Sequence, residues 1–259
     1  MSVEIEAQIL FIDYDKVLSI IKKMGAKQKF DWVKFRIAVF NPCMSIDEQK
    51  EKYDLIFTRV RDEGGDVRTI TTKSKPKKVE GKYVNEYEIT TTDSFEDCKN
   101  FLEANHLSMK AYQERLRQKW IIPDRPEIKE IVFDIWPGLP IYMEVEAKTE
   151  KDLHNFLDEI KVDSANIRYA GASAYYNEIL GIPKDIINNS TPKLDFKSVE
   201  SALGEHVTKK EEFKKILSTQ KELLKQVGFE ELLTGSGRKI SRKGSRKGSR
   251  KSSRKSSRK

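Results

Sequence analysis

The stretch VEIEAQIL, residues 3 to 10, sets two carboxylates, Glu4 and Glu6, between apolar residues. Alternation of period two is a strand pattern, and it puts both acids on one face. A strand over a solvated surface turns such a face to water. A curled sheet with helices packed on its outside turns it inward. The choice decides between an ordinary β protein and a charged interior.

The same pattern recurs down the chain. Arg59 and Arg61 flank Val60, Glu86 and Glu88 flank Tyr87, Arg115 and Arg117 flank Leu116, and Glu144 and Glu146 flank Val145. Lys73 and Lys75 make another pair, and Asp134 sits in the run VFDIWPG. Strands are expected near 3–11, 28–40, 53–62, 67–75, 83–90, 111–121, 129–136 and 141–148, with DEGGDV as a hairpin turn. Between them, DYDKVLSIIKKMGA, DSFEDCKNFLEANH and TEKDLHNFLDEI carry apolar residues at helical spacing, with Ser94 and Thr149 as caps of the last two. Each helical stripe needs an apolar partner. If the strands supply it from their apolar face, the charged face looks inward. The expectation is an α+β fold: eight mostly antiparallel strands in a closed or nearly closed barrel, helices outside.

Residues 1–182 are read as this main domain and residues 183–235 as a helical appendage packed on it. There, Thr208 and Glu211 fit a capping box and Gly228 a stop. Residues 236–259 repeat an SRK(G/S) unit with Ile240 as the lone apolar residue, which predicts a disordered tail. The tail holds twelve Lys and Arg and no acid, so the formal charge of +8 is misleading. The remainder has 37 basic against 41 acidic residues, a net of −4. The tail is suited to nucleic acid, polyphosphate or an anionic surface.

Two cysteines, Cys43 and Cys98, make no disulfide framework and no zinc pattern, so a reducing, cytoplasmic setting is expected, with nuclear or nucleic-acid association through the tail. No run approaches a membrane span, and the acidic N-terminus does not read as a signal peptide. The three histidines lack metal-ligand spacing, and there is no phosphate-binding Gly-Lys loop or nucleophile elbow. Trp32 is read as packing rather than as a stacking platform. A wet interior lined by both signs suits a polyphosphate with its metal ions: arginine forks take phosphate oxygens, and carboxylates take Mg²⁺ or Mn²⁺.

These motifs, in this order, resemble the CYTH superfamily, the triphosphate tunnel metalloenzymes. The likeness covers residues 3 to 182: Glu4-x-Glu6, Arg59-x-Arg61, TTK ending at Lys73, Glu86-x-Glu88, Arg115-x-Arg117 with Trp120, Asp134 before Pro-Gly, and Glu144-x-Glu146. One position departs: where the family's opening motif has lysine, this chain has Gln8. The resemblance implies a closed eight-stranded tunnel. It implies that Glu4, Glu6, Asp134, Glu144 and Glu146 hold one or two Mg²⁺ or Mn²⁺ ions. Arg59, Arg61, Lys73, Arg115 and Arg117 would clamp a triphosphate, with Glu86 and Glu88 anchoring them, completing a metal site or orienting a water. Catalysis falls to Glu4, Glu6 and Lys73. The expected activity is metal-dependent hydrolysis of a triphosphate, organic (thiamine triphosphate or a nucleotide) or inorganic. The alternatives are a class IV-type adenylyl cyclase, an RNA 5′-triphosphatase acting on an RNA end, and a non-catalytic polyphosphate or nucleic-acid binding module. The pattern leaves the oligomeric state open.

Overall fold

The computed structural model describes residues 5–42, 48, 51, 53–76 and 85–234. Glu4, Cys43 and the basic tail lie outside the described residues. The strands are β1 (Ile5–Ile9), β2 (Lys27–Asn41), β3 (Tyr53–Asp62), β4 (Arg68–Pro76), β5 (Asn85–Thr91), β6 (Ser108–Ile121), β7 (Ile128–Ile135) and β8 (Tyr142–Ala147). All eight stand where the alternation put them. Two short strands follow, β9 (Ile167–Arg168) and β10 (Lys193–Leu194).

The helices are α1 (Tyr14–Lys23), α2 (Phe95–Ala104), α3 (Glu150–Glu159), α4 (Ala172–Leu180), α5 (Val199–Leu203), α6 (Lys210–Gln226) and α7 (Glu231–Thr234). Asp13, Ser94 and Thr149 cap the first three, each accepting a backbone N–H at 3.0–3.1 Å. At α6 the expected capping box does not form. Thr208 Oγ1 instead donates to Leu180 O at 3.3 Å, and Thr208 N donates to the same carbonyl at 3.1 Å. The C-terminal carbonyl of α4, which has no partner within its own helix, outcompetes the N-terminus of α6 for that hydroxyl. Gly228, at φ +80°, ends the last turn of α6 as expected.

The strands join in the order β5-β4-β3-β2-β6-β7-β8-β1-β9. Neighbours along this path are antiparallel, while β10 lies parallel to β6. The expected closed barrel is therefore corrected to a curled, open sheet. Its outer edges, among the described residues, are β5 and β9. Closure would need the free edge of β1, but β9 occupies it, pairing Gln8 with Arg168 and Ile9 with Ile167.

The two faces separate as the helical stripes required. Ala7, Ile9, Ile131, Phe133, Met143 and Val145 leave the sheet on one side and pack against Val17 and Ile21 of α1 and Leu153, Phe156 and Leu157 of α3. Val60 and Phe40 meet Phe95, Cys98 and Leu102 of α2 in the same manner. Burying a side chain of this kind stabilises by roughly 1.5–3 kcal/mol, so the helices settle which way these strands face. Residues 193–234 are built into the same body. Phe213, Ile216 and Leu217 of α6 share a core with Trp136, Leu139 and Tyr142, and Leu224 packs with Leu116 and Ile135. The side chain of Gln220 on α6 reaches the turn after β7, donating to Trp136 O (2.8 Å) and Leu139 O (2.9 Å) and accepting from Gly138 N (3.0 Å). Among the described residues, no helix is long and apolar enough to cross a membrane.

Candidate functional site

With the apolar face turned to the helices, period-two alternation turns the other face into the curl. It lines a cavity of about 620 Å³. Strand β1 contributes Glu6, β3 Arg59 and Arg61, β4 Lys73, and β5 Glu86 and Glu88. From β6 come Arg115 and Arg117, and from β8 Glu144 and Glu146. Strands β5 and β1, far apart along the hydrogen-bonded path, thus face each other across one space. Lys34 and Arg36 pair with Glu114 and Asp62, and Phe35 between them lines the cavity. Trp32 packs on Tyr14 at 6.0 Å and does not line the cavity.

Asp134 is placed otherwise than the resemblance implied. It is fully buried behind the lining. Arg117 grips it in a fork, Nε to Oδ1 at 2.7 Å and Nη2 to Oδ2 at 2.6 Å, while Arg115 Nη1 adds a bond at 3.3 Å. Burial alone would raise its pKa, but Arg117 and Arg115 outweigh burial and hold it below the ordinary carboxylate value. Its oxygens are committed to arginines, so it holds the Arg115 and Arg117 guanidinium groups in place. Burial likewise works against the charge of Arg117, and Asp134 outweighs it, so that its pKa is raised.

The cations are unequally matched. Lys73 Nζ lies 2.9 Å from Glu86 Oε2. Arg61 Nε lies 2.7 Å from Glu63 Oε1, and Thr71 Oγ1 donates to Glu88 Oε2 at 2.8 Å. Arg59 differs. Burial, then the charges of Arg61 and Arg115, lower its pKa, and Glu86 and Glu88 only partly offset them. The Nε atoms of Arg59 and Arg115 are buried with no hydrogen-bond partner. Buried donors are seldom left so, and forked donors with a surplus of like charge fit an anion with several oxygens. Arg115 is also stacked near Phe35, 5.0 Å from the ring centre.

The opposite wall is acidic. Gln8 is 5% exposed and its Nε2 donates both to Glu6 Oε1 (3.1 Å) and to Glu144 Oε2 (3.2 Å). Two carboxylate acceptors fix the amide with its nitrogen towards them. Glu144 also takes a bond from Arg117 Nη2 at 3.2 Å, and Glu146 pairs with Lys129 at 2.6 Å. Among the described residues, no three carboxylate, histidine or cysteine side chains converge on one point. Glu6 and Glu144 offer two. Mg²⁺ held jointly with substrate phosphates needs only one or two carboxylates, so the donor set fits such an ion.

Several lining residues were missed in the sequence: Phe30, Phe35, Glu63, Lys119 and Glu130. A signal existed for Lys119, which continues the period of Arg115 and Arg117, and for Glu130, in phase with Asp134. The aromatic pair had none, because bulges at Gln28/Phe30 and Phe30/Val33 break the phase of β2.

No protein-family model and no curated protein matches the chain. Solved structures do. A conserved hypothetical protein of Pyrococcus furiosus overlaps with 10% identity over 66% of this chain and 98% of its own, at a TM-score of 0.49. A protein of Pyrococcus horikoshii does so with 13% identity over 64% and 94%, at 0.47. A proposed adenylate cyclase of Vibrio parahaemolyticus gives 14% over 67% and 97%, at 0.48. At this identity and overlap, the functional reading rests on the chain's own residues.

Proposed function

We propose that the cavity binds a triphosphate and that the protein hydrolyses it with Mg²⁺ or Mn²⁺, as in the triphosphate tunnel metalloenzymes its motifs resemble. The reading is carried by the surplus of buried arginine: Arg59 and Arg115 each keep a buried Nε without a partner beside Arg61. Arg59, Arg61 and Arg115 take the phosphate oxygens. Arg117, already locked on Asp134, keeps its place as charge shifts, so little reorganisation is needed in the transition state. Lys73 meets the charge developing on the leaving phosphate. Glu6 and Glu144 would hold the metal ion, which would supply charge neutralisation and a more acidic water. The oxygen of water bonds to the terminal phosphorus, the bridging P–O bond breaks, and Glu6 accepts the proton.

The test is phosphate release from tripolyphosphate, ATP and thiamine triphosphate by the full chain, with Mg²⁺, Mn²⁺ or EDTA, and cyclic AMP measured in the ATP samples. Metal-dependent phosphate release, abolished in Glu6→Ala and in Arg61→Ala with folding intact, supports the hydrolase. Cyclic AMP with diphosphate would replace it by a cyclase. One observation favours a second reading: Gln8 is a neutral amide where the family motif carries a cation. Tight tripolyphosphate binding with no turnover of any substrate would make the protein a binding module.

A further inference from the structure

One residue of the charged wall is neither charged nor open to a ligand. Phe35 lines the cavity yet is only 2% exposed. The pairing of β2 with β6 sets it directly across from Arg115, and Val33 across from Arg117. Alternation gives Lys34 and Arg36 the other face of the strand. The Phe35 ring centre lies 5.0 Å from the Arg115 guanidinium carbon and 5.9 Å from that of Arg117. Phe30 adjoins it, with ring centres 6.3 Å apart. Both guanidinium groups stand within the range at which a ring face attracts a cation.

The two arginines need that attraction unequally. Arg117 is fixed by two short bonds to Asp134, at 2.7 and 2.6 Å. Arg115 has one bond to the same carboxylate, at 3.3 Å, and its Nε is buried without a partner. Burial, then the charge of Arg117, lower its pKa, and Asp134 offsets them only in part. Hydrogen bonding therefore does not account for the position of Arg115. Two rings adjoin it instead, Phe35 and, at 5.8 Å, Trp136. A carboxylate at position 35 would also hold the guanidinium, but through the N–H donors that a phosphate needs. A ring holds it by the face and leaves the in-plane donors free.

We propose that Phe35 is a positioning residue of the phosphate clamp: its ring holds the Arg115 guanidinium against the repulsion of Arg117, with the N–H edge turned to the anion. Trp136 adds to the same contact. Phe35 itself touches no substrate and acts through the arginine. This rests on the reading of the cavity as a triphosphate site.

The test measures tripolyphosphate binding to the full chain with Mg²⁺ by calorimetry, with Phe35 replaced in turn by phenylalanines carrying one, two and three ring fluorines. Fluorine draws electron density from the ring face and scarcely changes its volume. Packing is kept while the pull on a cation falls in steps. Affinity should drop with each fluorine, to about tenfold weaker with three. Phe35→Leu, which has no ring, should also lose about tenfold. The same three replacements at Phe133, which packs on the helix side of the sheet, should leave affinity unchanged. If the parent binds tripolyphosphate and affinity stays level across the Phe35 series, the ring is packing alone and the proposal is overturned, while the triphosphate reading stands. An equal decline in the Phe133 series would overturn it too. If the parent itself fails to bind, the triphosphate reading falls and this inference falls with it.

Discussion

Gln8 holds Glu6 and Glu144 together without neutralising either. An amide bonds both carboxylates and, unlike an ammonium, brings no positive charge of its own to them. An ammonium at that point would compete with a metal for the same oxygens. Gln8→Lys should therefore weaken Mn²⁺ binding about tenfold, near 1.4 kcal/mol, with calorimetry or Mn²⁺ electron resonance as the readout. Equal affinity in parent and variant would mean that these carboxylates are not the metal's ligands. Asp134 is the opposite case, a charge fully committed. Asp134→Asn leaves two buried guanidinium groups short of a counter-charge, a change of about 3–5 kcal/mol and on the order of 10 °C in melting temperature. The pH dependence has a definite sign. Its folded pKa lies below the ordinary 3.8, so the stabilisation is complete above that value and is lost as pH falls below it towards the folded pKa. The parent should lose melting temperature below about pH 4 and the Asn variant should lose less over the same interval. Parallel curves would remove Asp134 as the source.

At the scale of elements, one polar side chain adds to the apolar contacts that seat α6. Gln220 satisfies two carbonyls and one N–H in the turn over residues 136–139. Gln220→Leu strands all three in a buried site, so a loss of roughly 2–4 kcal/mol is expected in denaturant unfolding. A change under about 0.5 kcal/mol would mean that water replaces the side chain at no cost. That contact could not be read in the chain, since it joins residues over eighty apart and no periodicity marks it. Local alternation, by contrast, carried far. The phase of Arg59, Val60 and Arg61 fixes which side chain meets α2 and which meets the cavity, because an error of one residue would put a buried valine in the charged space. Asp134 was legible as a member of the inner face but not as a residue behind it. Depth within a face depends on where neighbouring arginines turn, and spacing carries no such information. Closure was equally invisible: the two residues of β9 that cover the edge of β1 are too few to show a pattern.

The whole chain divides its charge in a way the fold does not need. Residues 1–235 carry −4 and the tail carries twelve cations. Deleting residues 236–259 should leave melting temperature and cavity binding unchanged while removing salt-sensitive association with RNA or long polyphosphate, read by anisotropy between 50 and 200 mM salt. Retained association would place the basic surface elsewhere. The open path of the sheet has a wider consequence. In a closed barrel, strand number and stagger dictate the bore. Here, among the described residues, β5 and β9 end the path, so no closed ring of strands sets the bore. On the proposed reading, a polyanion bound by Arg59 and Lys73 and joined through a cation to Glu6 and Glu144 would act as a drawstring across the seam. The protein would then hold its ligand by tightening as much as by fit, and a longer or shorter phosphate chain would leave it with a different girth.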